Sequence, residues 1–252
     1  IVEHLGYKCT RGSEKDVLKR FYESSKIINA DIVVRITGDC PFVDPILVDQ
    51  CIDGFLKNDV DYFSNIHPLS YPDGLDIEVI SFESIKIAHK ESKSAYDREH
   101  VTPYIINNNK FKKSAICHTK NLSNLRWTLD EPEDYEIIKN VFEYFSPDIY
   151  FSWKKILELQ KKRPDLFEKN KNIKNNEGSR TNSGQKLYKR AKKIIPGGNM
   201  LLSKRPEMFL PENWPTYFSK AKGCKVWDLD GKEYIDMSMM GIGTNILGYG
   251  HP

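Results

Sequence analysis

Two kinds of apolar pattern alternate along the first two thirds of the chain. Short, nearly continuous apolar runs predict strands: DIVVRIT (31–37), VDYFSN (60–65), LDIEVIS (75–81), SAICHT (114–119) and LRWTL (125–129). Longer segments, with apolar residues every three or four positions, predict helices: 13–28, 44–58, 82–92, part of 97–108, 131–145 and 152–162. This β-α rhythm predicts an α/β fold with a doubly wound sheet, and DIVVRIT is predicted to be an interior parallel strand.

Helix starts are marked by capping residues. Ser13 followed by Asp16 matches a capping box, which predicts Ser13 as the N-cap of the first helix. Asp44 before Pro45 predicts an N-cap followed by proline at the first helical position.

The pattern changes near Lys169. Residues 169–183 are polar and rich in Asn, Lys, Gly and Ser, which predicts a flexible linker between a first domain at 1–168 and a segment at 184–252. That segment is predicted to be a small α+β piece, with a basic amphipathic helix and two β runs, KVWDL and KEYIDM. Asp230-Gly231 between these runs predicts a hairpin, and the spacing of Asp228 and Asp230 is interpreted as turn chemistry rather than a metal motif.

Composition excludes several classes of protein. The 252 residues include 38 Lys and Arg against 35 Asp and Glu, so the net charge of +3 gives no reason to expect a nucleic-acid partner. No apolar run approaches the roughly 20 residues that span a bilayer, so no membrane partner is expected. The five cysteines are scattered and form no C-x-x-C pair, which argues against a disulfide framework or zinc site and fits the cytoplasm.

Two aspartates lie just past the ends of predicted strands. Asp39 follows DIVVRIT and Asp130 follows LRWTL, and ligands of open α/β sheets bind outside the carboxyl ends of strands. Two carboxylates could hold Mg²⁺ against substrate phosphates. The alternative is a turn residue at Asp39 and a helix cap at Asp130, and the pattern alone favours that alternative.

Five blocks in a fixed order carry a family resemblance. RGSEKDVLKRFYE, RITGDCPFVDP, SYPDGLDIEVISFESI, REHVTPYI and LRWTLDEPEDYEII resemble the cytidylyltransferases that activate acidic sugars. Over about residues 7–165 the chain is similar to the spore-coat polysaccharide type, akin to CMP-Kdo and CMP-acylneuraminate synthetases. The resemblance implies a Rossmann-like nucleotide-sugar transferase sheet and transfer of CMP from CTP to a sugar acid. It also implies that Asp39 and Asp130 are catalytic Mg²⁺ ligands.

The resemblance also implies substrate-binding residues. Arg98, His100 and Tyr104 in REHVTPY match a sugar-binding strip, whereas the residues alone allow a solvated face at Arg98 and a packed helix residue at His100.

The remaining candidates lie in the other blocks. Tyr71 and Asp76 are candidates for the sugar pocket, and Asp73 is interpreted as a turn residue in Pro72-Asp73-Gly74. Gly38 and Ser13 are candidates for nucleotide binding, although a helix cap explains Ser13 without a ligand.

The chain departs from the family pattern at its start. The family's first strand and its Arg- and Lys-bearing triphosphate loop would lie before Ile1. We therefore expect the fold to be incomplete and the chain as given to bind CTP poorly and to be inactive.

Residues 184–252 resemble a second family. They are similar to the amino-terminal end of class III aminotransferases of the glutamate-1-semialdehyde aminomutase type. The resemblance implies pyridoxal phosphate as cofactor of the intact domain, with its lysine outside this chain. Two alternatives to CMP transfer as the main function are amino transfer and sugar-nucleotide binding without catalysis. Both families lead us to expect a homodimer of the intact protein.

Overall fold

The computed structural model describes residues 2–171, 173, 183–199, 201–210, 214–237 and 246–251. The chain divides into two compact units. The first comprises residues 1–93 and 97–175, and the second comprises residues 94–96 and 176–252.

The first unit contains the α/β alternation. Its strands are β1 (Ile32–Arg35), β2 (Tyr62–Ser64), β3 (Glu78–Ser81) and β4 (Lys113–Ala115). The helices up to residue 162 are α1 (Val17–Ile27), α2 (Pro45–Lys57), α3 (Phe82–Glu91), α4 (Ala95–His100), α5 (Pro103–Asn107), α6 (Pro132–Phe145) and α7 (Trp153–Lys162). Short 3-10 turns lie at Glu3–Leu5 and Pro164–Phe167.

The sheet of the first unit is mixed. Its strand order is β1-β3-β2-β4, with β3 antiparallel to both β1 and β2 and with β2 parallel to β4. The predicted α/β class is confirmed. The interior parallel position expected for DIVVRIT is wrong within the described residues, because β1 ends the strand order and pairs antiparallel with β3.

The segment LRWTL is not a regular strand. It runs extended and makes one parallel bridge, between Arg126 and Asp73. The amide of Trp127 donates to the carbonyl oxygen of Asp73 at 2.7 Å, and the amide of Asp73 donates to the carbonyl oxygen of Leu125 at 3.0 Å. These bonds tie the segment to the loop before β3 without extending the sheet.

Alternation along the strands gives the sheet two apolar faces. Phe63 and Val79 pack on one face with residues of α2, α6 and α7. Tyr62 and Ile80 pack on the other face with residues of α1, α3 and α5. Successive strand residues point to opposite faces, so the two cores follow directly from the continuous apolar runs of the sequence.

Two helix starts test the predicted caps. Asp44 is confirmed as the N-cap of α2, because its carboxylate accepts from the amides of Ile46 (2.8 Å) and Leu47 (3.3 Å). Ser13 is not the N-cap of α1; Asp16 is, and its carboxylate accepts from the amide of Lys19 at 3.1 Å. Ser13 accepts a hydrogen bond from the amide of Asp16 at 3.1 Å, so it supports the turn before the helix.

The second unit contains α8 (Ser183–Lys192) and an antiparallel sheet of order β5-β6-β7, with β5 at Phe218–Lys222, β6 at Lys225–Asp228 and β7 at Glu233–Ile235. Short 3-10 turns lie at Leu202–Lys204 and Pro206–Met208. The hairpin at Asp230-Gly231 is confirmed, whereas β5 was not predicted.

The carboxylate of Asp228 accepts hydrogen bonds from groups of this hairpin. It accepts from the amides of Asp230 (3.0 Å) and Lys232 (2.8 Å) and from the hydroxyl of Tyr234 (3.0 Å). The interpretation of Asp228 and Asp230 as turn chemistry is therefore supported by their contacts.

The predicted linker is described only in part. Asn170 is buried, and its side-chain Nδ2 donates to the carbonyl oxygen of Arg126 at 3.2 Å. The start of 169–183 therefore packs within the first unit rather than forming a free connection. Residues 172 and 174–182 lie outside the described residues. No helix in the described ranges is long and apolar enough to cross a membrane.

Candidate active site

Asp39 lies in the turn that follows β1. The amide of Cys40 closes this turn by donating to the carbonyl oxygen of Thr37 at 3.2 Å. A Cβ added at Gly38 would meet no atom within 4 Å, so packing does not demand glycine there. Gly38 is exposed and Asp39 is partly exposed, so the turn is open to solvent at its glycine.

The backbone of Asp39 is bonded to the segment that leads into Asp130. Its carbonyl oxygen accepts from the amide of Leu129 at 2.8 Å and from the hydroxyl of Thr128 at 3.1 Å. These two bonds bring the turn after β1 beside the residues that precede α6. The turn that carries Asp39 and the segment that leads into Asp130 are therefore neighbours.

Asp130 does not cap α6. The N-cap position is held by Glu131, with Pro132 as the first helical residue. The carboxylate of Asp134 accepts from the amides of Asp130 (3.1 Å) and Glu131 (2.9 Å), so another residue satisfies the helix start. The cap interpretation of Asp130 is wrong, and its side chain is 51% exposed.

Arg126 joins the carboxylates behind the site. Its Nε and Nη2 donate to the two oxygens of Asp134 at 2.9 and 2.7 Å, a bidentate pair. Nη2 also donates to Asp130 at 3.3 Å, and Nη1 lies 3.7 Å from Asp73. Hydrogen bonds from Arg126, Asn170 and two amides lower the pKa of Asp134 although burial raises it.

Asp39 faces two further carboxylates. Burial and then the charge of Asp39 raise the pKa of Asp130 above its ordinary range, with Arg126 acting in the opposite direction. Burial, together with the charges of Asp73, Glu78 and Asp39, raises the pKa of Asp76 to about 7. Crowded carboxylates resist ionisation together, so a cation between them would lower the free energy of their charged forms.

The donor set fits a hard divalent cation. Asp39 is partly exposed and the side chain of Asp130 is 51% exposed, so both can offer carboxylate oxygens, the ligand type that Mg²⁺ takes together with substrate phosphates. Within the described ranges no group of three His, Cys, Asp or Glu side chains has metal-binding geometry. A cation held by Asp39 and Asp130 would therefore need its other ligands from substrate or water.

Gly74 brings the loop before β3 against the extended segment. Its φ is +102°, and a Cβ there would lie 2.5 Å from the carbonyl carbon of Trp127. The amide of Leu75 donates to the carbonyl oxygen of Pro72 at 3.3 Å, which supports the turn interpretation of Asp73. Only glycine satisfies both the left-handed backbone and the close approach.

Arg98 is held by contacts within the first unit. Its guanidinium pairs with Asp16 at 2.8 Å and donates to the carbonyl oxygens of His89 (3.1 Å) and Ser92 (3.2 Å). It is therefore not a solvated surface residue. A sugar-binding role for Arg98 stays a prediction, and its observed contacts tie α4 to the start of α1.

Of the other predicted sugar-binding residues, Asp76 lies near Asp39, whereas Tyr104, His100 and Tyr71 make contacts elsewhere. The hydroxyl of Tyr104 donates to Glu91 at 2.6 Å, and His100 ends α4. Tyr71 is buried and packs edge-on against Trp153, with ring centroids 5.6 Å apart. Neither Arg98 nor Tyr104 forms a hydrogen bond or ion pair with Asp39 or Asp130 in the described part of the chain.

Sequence reasoning missed the residues that build the frame of the site. The sequence pattern does not single out Arg126 or Asp134, and it places Asn170 in the predicted linker. An arginine inside an apolar extended run was the available signal, because a buried guanidinium needs a carboxylate partner. Arg35 in DIVVRIT gives the same signal and pairs with the buried Glu78.

Known proteins resemble the chain over about two thirds of its length. An uncharacterized protein of Methanocaldococcus jannaschii is 37% identical over 175 residues, which cover 67% of this chain and 69% of that protein. The spore coat polysaccharide biosynthesis protein SpsF of Bacillus subtilis is 31% identical over 166 residues, covering 64% of this chain and 67% of SpsF.

A solved structure matches the fold as well. The structure of a cytidylyltransferase from Leptospira borgpetersenii superposes with a TM-score of 0.64 at 32% identity, covering 66% of this chain and 71% of that one.

A shorter likeness points to another class of protein. The chain is 42% identical over 66 residues to a glutamate-1-semialdehyde 2,1-aminomutase of Acetivibrio thermocellus, which covers 26% of this chain and 15% of that enzyme. This match is local and does not assign the aminotransferase class to the chain.

The family model described as cytidylyltransferase matches residues 2–174, the greater part of the chain. The fold, with its mixed sheet and two helical layers, agrees with that match. The chain belongs to the cytidylyltransferase family.

Proposed function

We propose that the intact protein transfers CMP from CTP to the anomeric hydroxyl of a sugar acid for a surface polysaccharide. The hydroxyl oxygen forms a bond to the α-phosphorus of CTP and gives up its proton. The bond from that phosphorus to the bridging oxygen breaks, and pyrophosphate leaves with the bonding electrons. Family membership and the likeness to SpsF support the reaction class.

The observation that carries the proposal is the proximity of Asp39 to the segment that leads into Asp130. The bonds from Leu129 and Thr128 to the carbonyl oxygen of Asp39 fix the two residues beside each other. We propose that their carboxylates hold Mg²⁺, which when bound would neutralise the phosphate charge that repels an incoming oxygen. The chain supplies the open turn at Gly38 and the two anionic ligands.

The test is pyrophosphate release by the intact gene product. With CTP, Mg²⁺ and either Kdo or N-acetylneuraminate as acceptor, we expect release from the wild type and a loss of at least about 100-fold in Asp39→Asn and Asp130→Asn, as for loss of a charge-stabilising group. Asp53→Asn changes an exposed carboxylate paired with Lys57 at 3.1 Å and serves as matched control.

Two results would contradict the proposal. Full turnover in Asp39→Asn would remove the metal role of that residue. Tight binding of CTP without pyrophosphate release from any acceptor would favour the alternative of a non-catalytic sugar-nucleotide binding protein.

A second candidate function has one observation in its favour, the short aminotransferase match. We propose that the protein also carries a pyridoxal phosphate-dependent aminotransferase activity. Addition of pyridoxal phosphate to the intact protein should give a shifted absorbance band that borohydride reduction fixes. An unchanged spectrum of the cofactor would remove this candidate.

A further inference from the structure

We propose that Arg126 is a positioning residue that orients the carboxylate of Asp130 toward the cation, with Asp134 as its anchor. The inference rests on the proposed metal role of Asp39 and Asp130. It adds residues that touch neither substrate nor cation and act through Asp130.

The anchor is rigid because it is buried and bidentate. The side chain of Arg126 is 6% exposed and that of Asp134 is 0% exposed. Two parallel bonds of 2.9 and 2.7 Å fix both the position and the plane of the guanidinium. The direction of Nη2 toward Asp130 is therefore set by Asp134.

The same carboxylate also fixes the backbone of Asp130. One oxygen of Asp134 accepts from the amides of Asp130 and Glu131 and from Nη2 of Arg126. The side-chain Nδ2 of Asn170 donates to the other oxygen of Asp134 at 2.8 Å and also to the carbonyl oxygen of Arg126. The carboxylate of Asp134 thus holds the backbone of Asp130 directly and its side chain through Arg126.

Asp130 needs this support because its carboxylate is half exposed. An exposed carboxylate without a fixed donor samples several rotamers. The bond from Nη2 holds one carboxylate oxygen at 3.3 Å and leaves the second oxygen for a cation.

Lysine is the informative replacement. Arg126→Lys keeps the positive charge but lacks the planar fork that bonds Asp134 and Asp130 together. Asp134→Asn removes the negative charge of the bidentate pair and so weakens the contact that holds Arg126. Asp16→Asn is the matched control, because it weakens another arginine–aspartate pair, the one with Arg98 at 2.8 Å, on a different helix.

The experiment measures binding of Mn²⁺ alone to the 252-residue chain by electron paramagnetic resonance, with thermal unfolding recorded for each variant. We expect the dissociation constant to rise about tenfold or more in Arg126→Lys and Asp134→Asn, and to change less than about twofold in Asp16→Asn. Thermal stability should fall in Asp134→Asn and Asp16→Asn alike, so a merely structural role would not separate these two variants.

The outcomes separate the two claims. If Asp39→Asn abolishes Mn²⁺ binding while Arg126→Lys binds as the wild type does, the positioning role is overturned and the metal site stands. If the wild type binds no Mn²⁺, or if Asp39→Asn binds it equally well, the metal site and the positioning role both fail.

Discussion

At the scale of single residues, like charges surround Asp76. Burial and the carboxylates of Asp73, Glu78 and Asp39 raise its pKa to about 7, from an ordinary value near 3.8. A carboxyl whose pKa is raised by folding favours the folded state most at low pH. That contribution is lost as pH rises from about 4 through about 7, because the folded protein then has to hold a crowded anion.

Asp76→Asn should therefore remove a pH-dependent loss of stability. In EDTA, we expect the free energy of unfolding of the wild type, relative to the variant, to fall by roughly 2–4 kcal/mol between pH 4 and pH 8, since one pKa unit is worth about 1.4 kcal/mol. Urea unfolding at several pH values measures it. Asp53→Asn, at an exposed position, should keep the wild-type pH profile; an identical profile in Asp76→Asn would show that Asp76 is not perturbed.

Sequence pattern predicts where Asp39 and Asp130 lie along the chain but not what surrounds them. Each follows an apolar run, so its place at the end of an extended segment could be predicted from pattern. The pairing of Arg126 with Asp134 could not, because a bidentate contact depends on how the start of α6 meets the extended segment in space. The capping role of Asp16 was also missed, since Ser13 matched the capping-box spacing equally well in sequence.

At the scale of helices and strands, Asp44 joins two helices. One carboxylate oxygen caps α2 through the amides of Ile46 and Leu47, and the other accepts from the amide of Trp153, the first residue of α7, at 3.0 Å. Asp44 is 3% exposed, so three amides, two of them buried, depend on one side chain. The cap of α2 could be predicted from Asp-Pro, whereas the bond to α7 could not, because its partner is distant in sequence.

Asp44→Ala should cost more than an ordinary cap. We expect the free energy of unfolding to fall by about 2–4 kcal/mol, since a single cap contributes about 1 kcal/mol and buried amides lose their acceptor. Ser152→Ala removes only the acceptor for the amide of Lys154 at 3.1 Å and should cost about 1 kcal/mol or less. Urea unfolding at neutral pH compares the two, and an equal loss in both variants would contradict the double role.

Strand order was less predictable than strand location. The runs at 31–37, 60–65 and 75–81 each contain a strand, but the antiparallel direction of β3 between β1 and β2 was not foreseen. A continuous apolar run predicts a strand that is covered on both faces of the sheet. A parallel and an antiparallel strand can both be covered in this way. The turn at Gly74 and the bond between Asp73 and the extended segment decide how the chain enters β3.

At the scale of the whole molecule, the first unit and the family match cover nearly the same residues. The unit reaches residue 175 and the match reaches residue 174, beyond the boundary predicted at 168. Asn170 explains the difference, because its side chain bonds Arg126 and Asp134 behind the site. A polar, Asn- and Lys-rich composition cannot distinguish a residue that satisfies a buried ion pair from one in a linker.

The central claim is that Asp39 and Asp130 together hold the cation that serves nucleotidyl transfer. The most direct measurement is anomalous diffraction from crystals of the intact protein grown with Mn²⁺ and CTP. We predict an anomalous peak within bonding distance of both carboxylates, with CTP phosphate oxygens completing the coordination. A peak bound to neither aspartate, with CTP present and both carboxylates facing solvent, would contradict the account.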